Sequence, residues 1–300
     1  MLGALVSGLG QGAVLALLAV GIVLVYKGSK VLNLAQGEMG ALAFLTSLAL
    51  LRLADDTPNG LAVLLLTVVL GGLFGIVVER VLMRPLVERP PVQSTIVTLG
   101  LAIAIIQFEL LGGSLFLADA ISYPLGTADI NTAGSFEWTV GGVILPAGRI
   151  VALVATAAIA GALWWFFNRT KFGLGVVAAT SDNQVARILG IPVRKVYRFT
   201  WGVGGALAGL TAALVAPVLT SFSPFLMTAL AIQALAAAVV GGLDSVWGAI
   251  VGGLLVGVVS SLAQEYLAVS AIDTAAVLAL VVGTLMLRPR GLLGGAGAEI

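Results

Sequence analysis

The chain has 300 residues, of which 60% are hydrophobic and only 10% charged, whereas a soluble globular domain carries nearer ~25% charged residues. A net charge of +1 gives no reason to expect a nucleic-acid partner. The absence of cysteine and histidine excludes disulfides, thiol chemistry, histidine triads and most zinc sites.

The first apolar run, residues 2–26, exceeds the ~20 residues needed to cross a bilayer. It lacks the basic n-region and small-residue cleavage site of a secretory signal. Lys27 and Lys30 follow it, so the positive-inside rule puts the N-terminus outside and this flank in the cytoplasm. Next comes VLNLAQGEMG, with Asn33, Gln36 and Glu38 between two apolar runs. The second span runs to about residue 51, and Arg52, Asp55, Asp56, Pro58, Asn59 and Gly60 form a short outer turn. A third span, 61–82, ends in a cytoplasmic stretch carrying Arg80, Arg84 and Arg89. The fourth, from about 93 to 111, contains Thr95, Thr98, Gln107 and Glu109.

Residues 112–148 form the longest polar insert on the outer side, and FEWTVGGVIL within it has the pattern of a β-hairpin turning at Gly141 and Gly142. A fifth span, 150–167, leads into the basic interval 168–200. That interval holds six of the fifteen basic residues and is flanked by aromatic residues on both sides, the signature of a cytoplasmic loop between two crossings. Ser181 followed by Gln184 fits a capping box, with Asp182 in the first turn, and Gly190 and Pro192 stop the helix. A helix of about two turns is not stable alone in water, so it must dock. Either it packs on its own membrane domain, or it presents a small-residue face (Ala178, Ala179, Ala186 and Gly190) to a partner's groove.

The sixth span, 199–216, leaves the loop. The apolar run 227–240 is short for a full crossing. It is followed by GGLDSVWGAIVGG and a further run to about 267. Ala249, Gly253, Gly257 and Ser261 form a small-residue stripe suited to close helix packing. At Gly241, Gly242 and Asp244 the reading is a helix interruption, with positive φ at one glycine and Asp244 capping the next helix. The final span, 271–287, ends in Arg288-Pro289-Arg290-Gly291.

Alternate threading places all the basic residues except Arg52 and Arg149 inside, thirteen of fifteen. The expectation is an all-α polytopic membrane protein with eight or nine crossings, a broken helix near 241–247 and a small outer hairpin. It forms one domain over 1–300, with the N-terminus out and the C-terminus in. Ionisable groups within apolar runs are functional suspects because they are costly there. Glu38, Glu109, Asp244 and Glu265 qualify, with Glu109 and Glu265 read as solvated or capping carboxylates at a membrane edge. Asn33, Gln36, Glu38, Thr95, Thr98 and Gln233 are candidates to line a translocation path. Ordinary interhelical hydrogen bonding is the alternative for Thr95, Thr98 and Gln233.

No GxxxxGK[ST] run exists, so the chain has no ATP loop of that kind, and no carboxylate pair stands at acid–base or metal spacing. An intramembrane enzyme is therefore disfavoured. A self-sufficient secondary transporter or channel for a small polar solute is the alternative class. It would show an internal repeat and a mid-span ionisable group, neither of which is evident.

Four stretches, in order, carry a resemblance over nearly the whole chain: LNLAQGE, ATSDNQVARILGIPVRKVYRFTWGVGGALAGLTAAL, VVGGLDSVWGAIVGGLLVGVV and LRPRGLLG. Together they resemble the branched-chain amino acid ABC-transporter permeases of the LivH/LivM family, specifically the LivH-type subunit. The resemblance implies a permease of the bacterial inner membrane that imports branched-chain amino acids or a related small solute by alternating access. It implies a second, LivM-like permease subunit, two cytoplasmic ATPase subunits and an extracytoplasmic substrate-binding protein as partners. ATP would sit on the partner subunits, with no cofactor or metal on this chain. The family's ATPase-coupling loop maps onto Ala178, Ala179, Asp182, Asn183, Ala186, Arg187, Gly190 and Ile191. The family's first-loop motif often reads NxAHGE, and Gln36 stands here in place of its histidine, which leaves no titratable group at that position.

Overall fold

A computed structural model describes residues 2–53, 59–87, 89–112, 137–140, 143–181, 186, 188–216, 225–267 and 272–294. Among these residues ten helices form: α1 (Leu2–Ser29), α2 (Gln36–Arg52), α3 (Gly60–Val78), α4 (Pro91–Gly112), α5 (Ala147–Arg169), α6 (Lys171–Ser181), α7 (Val193–Val215), α8 (Leu226–Gly241), α9 (Val246–Leu267) and α10 (Ile272–Leu287). Two four-residue segments, β1 (Glu137–Val140) and β2 (Val143–Pro146), pair antiparallel with Trp138 opposite Leu145. Gly141 and Gly142 between them, and most of the outer insert, lie outside the described residues.

Helices dominate because a chain this apolar must satisfy its backbone groups within each segment. Four helical stretches are long and apolar enough to cross a membrane: Gly3–Ser29, Gly60–Leu86, Pro91–Leu111 and Val246–Tyr266. Local chemistry sets the ends. Asn59 starts α3 by accepting the Leu61 N–H at 2.9 Å. Beyond Val78 the helix widens into a π turn, Glu79–Met83, then tightens into a 3-10 turn, Arg84–Leu86, at Pro85, which has no N–H to continue the ladder.

Helix α1 is the hub. Leu15, Leu17, Leu18, Val23, Leu24 and Val25 are all buried, as expected for a helix that is apolar on every side and enclosed by others. The small-residue stripe on α9 faces α1. A Cβ on Gly8 would lie 2.7 Å from the Val258 Cα, and one on Gly12 would lie 2.8 Å from the Leu254 Cα. As α1 advances, its partner on α9 recedes, so the two helices are antiparallel. Helices α3 and α7 pack the same way, with Gly71 against Gly205, Gly75 against Trp201, and Gly209 against Thr67. Hydrocarbon offers no solvophobic drive between helices, so backbone proximity and dispersion hold such pairs together. By contrast α1 and α5 run parallel: Thr156 donates to the Ala13 carbonyl at 3.0 Å, and Lys27 lies over the Phe167 ring at 6.0 Å.

Two elements go beyond the sequence expectation. The interval after α5 holds a further helix over Lys171–Ser181, while Asp182 and Gln184 of the expected capping box lie outside the described residues. The N-cap of this further helix is Thr170, whose Oγ1 accepts the Gly173 N–H at 2.9 Å. The expected helix interruption is present, and it makes the segment 226–267 an antiparallel helical hairpin. Gly241 packs on Gly248 and Gly252 packs on Ala237, and the chain reverses at Gly242, whose φ is 107°. Ser245, not Asp244, caps α9, accepting the Gly248 N–H at 3.0 Å.

Candidate functional site

Three polar regions concentrate the residues singled out from the sequence. The first is the basic interval between α5 and α7. Thr170 makes its joint: the hydroxyl donates to the Phe166 carbonyl at 2.6 Å while capping α6. Gly173 sits directly against the Phe166 backbone, where a side chain has no room. Around the joint Phe199 stacks on Phe166 at 4.9 Å and meets Phe172 edge-on at 5.3 Å. Aromatic contacts of this kind contribute ~0.5–1.5 kcal/mol beyond burial, so α5, α6 and α7 are tied at one point.

Of the two expected arrangements, the alanines take the first, packing on the chain's own domain. Ala179 and Ala186 are each 1% exposed and belong to the chain's own core with Leu163, Phe167, Val176, Val193 and Val196. Ala178 is half-buried, Ile191 is half-buried, and Gly190 is exposed at φ 79°. Ile191 N–H donates to the Ala186 carbonyl at 2.9 Å and closes the turn. Asp182, Asn183 and Arg187 lie outside the described residues. What this stretch turns outward is Ile188, 84% exposed, and Leu189, 71% exposed, with Lys171, Arg194 and Lys195 also on the surface. The small residues are inside because only they let the segment lie close on α5 and α7. The available signal was the pair of large apolar residues just before the Gly-Ile-Pro stop.

The second region is the connection from α1 to α2. Lys30, at φ 58°, ends α1, and the chain runs back along it without helical structure until Gln36. A Cβ on Gly21 would lie 2.6 Å from Gln36 Nε2, so the polar segment lies well inside the bundle, beside the body of α1. Irregular backbone at such depth must be covered and satisfied by protein. Asn33 Oδ1 accepts the Ala35 N–H at 3.1 Å and Asn33 Nδ2 donates to Gln36 Oε1 at 2.7 Å. Gln36 Nε2 donates to the Gly204 carbonyl of α7 at 2.7 Å. From α4, Thr98 Oγ1 accepts the Leu34 N–H at 3.2 Å and lies 3.0 Å from the Leu32 carbonyl.

Asn33, Gln36 and Thr98 each hold the backbone of this connection, and the half-buried Thr95 donates to the Pro91 carbonyl at 3.2 Å. The groups with spare capacity are others. Glu38 is buried; Oε1 accepts a hydrogen bond from the Thr228 hydroxyl of α8, and Oε2 has no partner among the described residues. Gln233 Oε1 is likewise buried and unpartnered. Glu109, expected at a solvated edge, is 0% exposed, with no partner for either oxygen among the described residues. An acid in an apolar run was visible in the sequence, but its nearness to the helix end concealed its burial. Thr228 gave no signal, being 190 positions from its carboxylate.

The third region joins the hairpin apex to the C-terminal segment. Leu292 and Leu293 donate their N–H groups to the Val240 and Gly241 carbonyls at 2.8 and 3.0 Å, satisfying acceptors that a helix end leaves open. Gly291, at φ 82°, rests on Gly242. Asp244 meets Lys30 Nζ at 3.1 Å in an exposed ion pair, which contributes at most ~1 kcal/mol.

A protein-family profile described as "Branched-chain amino acid transport system / permease component" matches residues 4–288. The BraD permease protein of the high-affinity branched-chain amino acid transport system of Pseudomonas aeruginosa is 29% identical, over 97% of this chain and 94% of its own. The LivH permease protein of the corresponding Escherichia coli system is 27% identical over 96% and 94%. A probable LivH branched-chain amino acid transport permease of Methanocaldococcus jannaschii is 30% identical over 93% and 88%.

Proposed function

The chain belongs to the family of permease components of branched-chain amino acid transport systems, and from that premise we propose that it is one membrane subunit of an ATP-driven importer. Its cargo is a branched-chain amino acid. It works with a second, related permease, two cytoplasmic ATPases that hold the ATP, and an extracytoplasmic binding protein. The observation that carries the reading is the two-sided segment before α7: Ala186 is locked into the chain's core while Ile188 and Leu189 stand free. An apolar pair presented to water beside basic side chains is a docking feature.

In this reading nine helices cross the bacterial inner membrane, α1–α5 and α7–α10, each reversing the direction of the one before. The antiparallel packing of α1 with α9 and of α3 with α7, and the parallel packing of α1 with α5, all support that order. So does the gathering of Lys27, Lys30 and Asp244 at one end. The N-terminus is then outside, the C-terminus is cytoplasmic, and the β1–β2 pair belongs to an outer cap.

The mechanism follows from the joint. Movement of the ATPases displaces Ile188–Leu189, and the Phe166–Phe172–Phe199 contacts pass that displacement to α5 and α7. Helix α7 holds the α2 start through Gly204 and Gln36, so tilting α7 reshapes the surroundings of Glu38, Thr228 and Glu109, the groups proposed to face the path. The test is uptake of leucine by vesicles containing this chain, its partner permease, the two ATPases and the binding protein. Uptake that needs ATP hydrolysis and all subunits is expected. Uptake by this chain alone, without ATP, would overturn the reading in favour of a self-sufficient transporter.

A further inference from the structure

Helices α3 and α7 touch through glycines on one side, and on the outer side a groove of about 520 Å³ opens between them. Its floor is bare backbone at Gly72 and Gly202, and its walls are apolar, including Val69, Leu73 and Ile76. From Lys195 to Ala206 it follows α7 for about 16 Å at 1.5 Å per residue, close to the ~15 Å depth of one hydrocarbon leaflet.

One end of the groove is different. Lys195 and Arg198 close it, and Lys195 also borders an adjoining pocket lined by Arg84, Arg194 and Glu79. Four basic side chains against one carboxylate leave a net charge of +3 at this mouth. Glu79 is almost fully buried and stands 3.8 Å from the Arg198 guanidinium, which keeps Arg198 at the mouth without cancelling the rest. All four cations are exposed.

We infer that this groove binds one anionic glycerophospholipid, with an acyl chain along Gly72 and Gly202 and the phosphate between Lys195 and Arg198. A helix of another membrane protein would fill the apolar part and leave the cations unneutralised. A soluble partner would neutralise the cations but could not enter the bilayer to cover the groove. A phospholipid satisfies both ends, and basic pockets between helices on the cytoplasmic side recognise such headgroups. The choice of the cytoplasmic leaflet rests on the orientation proposed above. Phe199 lines the groove and stacks on Phe166, so the lipid would touch the same joint that serves the loop.

The test is native mass spectrometry of the full chain in detergent, titrated with phosphatidylglycerol and, separately, phosphatidylcholine. Selective retention of phosphatidylglycerol is expected. The double variant Lys195→Gln/Arg198→Gln should weaken it by roughly thirtyfold, the loss expected when two basic side chains leave an anionic headgroup. Gly72→Leu should also abolish retention while leaving the thermal midpoint near its original value. A Cβ there meets nothing closer than 3.4 Å, so the added side chain occupies the groove.

Three results would overturn the inference. Equal binding of both lipids would remove the headgroup role. Displacement by glycerol 1-phosphate at the same concentration as phosphatidylglycerol would mean a site for free phosphate. Cross-linking of Leu73→Cys, on the groove wall, to a partner subunit in the assembled transporter would mean that protein covers this face. Lipid binding is read without transport, so failure of uptake leaves this result independent.

Discussion

Ala186 and Ile188 are two residues apart and point opposite ways, the first 1% exposed and the second 84%. The interval proposed to couple to the ATPases thus has a fixed side and a free side, and substitutions on the two should act differently.

On the free side, Ile188→Asp combined with Leu189→Asp should abolish co-purification of the ATPases and ATP-driven uptake. Membrane yield and thermal midpoint should stay unchanged. On the fixed side, Ala186→Trp should overpack the core at a cost of ~1–3 kcal/mol and lower the midpoint itself. If Ala186→Trp left the midpoint intact and only uncoupled the ATPases, the orientation described here would be wrong.

The helix contacts make a second contrast. Gly71→Ala should destabilise, because its Cβ would meet the Gly205 carbonyl of α7. Gly161→Ala, with nothing within 4 Å, should be neutral or stabilise by up to ~1 kcal/mol, the usual gain of alanine over glycine in a helix. Thermal unfolding in detergent separates them, and equal effects at both positions would contradict the close α3–α7 packing.

At the hairpin apex, Gly242→Val should sharply reduce folded yield, because φ of 107° suits no β-branched residue. Ser245→Ala should cost about 1 kcal/mol as a lost N-cap. Asp244→Asn should cost less, since its ion pair is exposed and screened by salt. A larger loss at Asp244 than at Ser245 would return the capping role to the aspartate.

The polar interior yields the fourth expectation. Gln36→Ala should destabilise by ~1–3 kcal/mol, because it strips a partner from the Gly204 carbonyl and from Asn33. Glu109→Gln should leave stability equal or higher, since the carboxylate has no partner among the described residues to lose. Uptake should nevertheless fall, and Glu38→Gln should behave alike. Unaltered uptake in both glutamine variants would remove these carboxylates from the path.

The predominance of long apolar helices was legible in the sequence because each depends on a single segment and its neighbours. So was the interruption at Gly242, since a Gly-Gly pair weakens an apolar helix, but not the reversal of the chain there. Burial was harder to read. Ala179, Ala186 and Gly190 look alike as small residues, yet the first two are core and the third is surface. Glu109 and Glu265 looked alike as acids near a helix end, and Glu109 lies fully inside.

Composition and local pattern were thus enough to fix a helical membrane chain, its punctuation and its family resemblance, because hydropathy and turn chemistry act over a few residues. Tertiary packing alone decided which face of each helix is covered. Gly253 is buried against Ala16, Glu38 meets Thr228, and Gln36 reaches Gly204, contacts between residues far apart in the chain. In a sequence apolar on every side, periodicity cannot say which side is inward. Only the close approach of particular backbones, permitted by glycine and alanine, makes that choice.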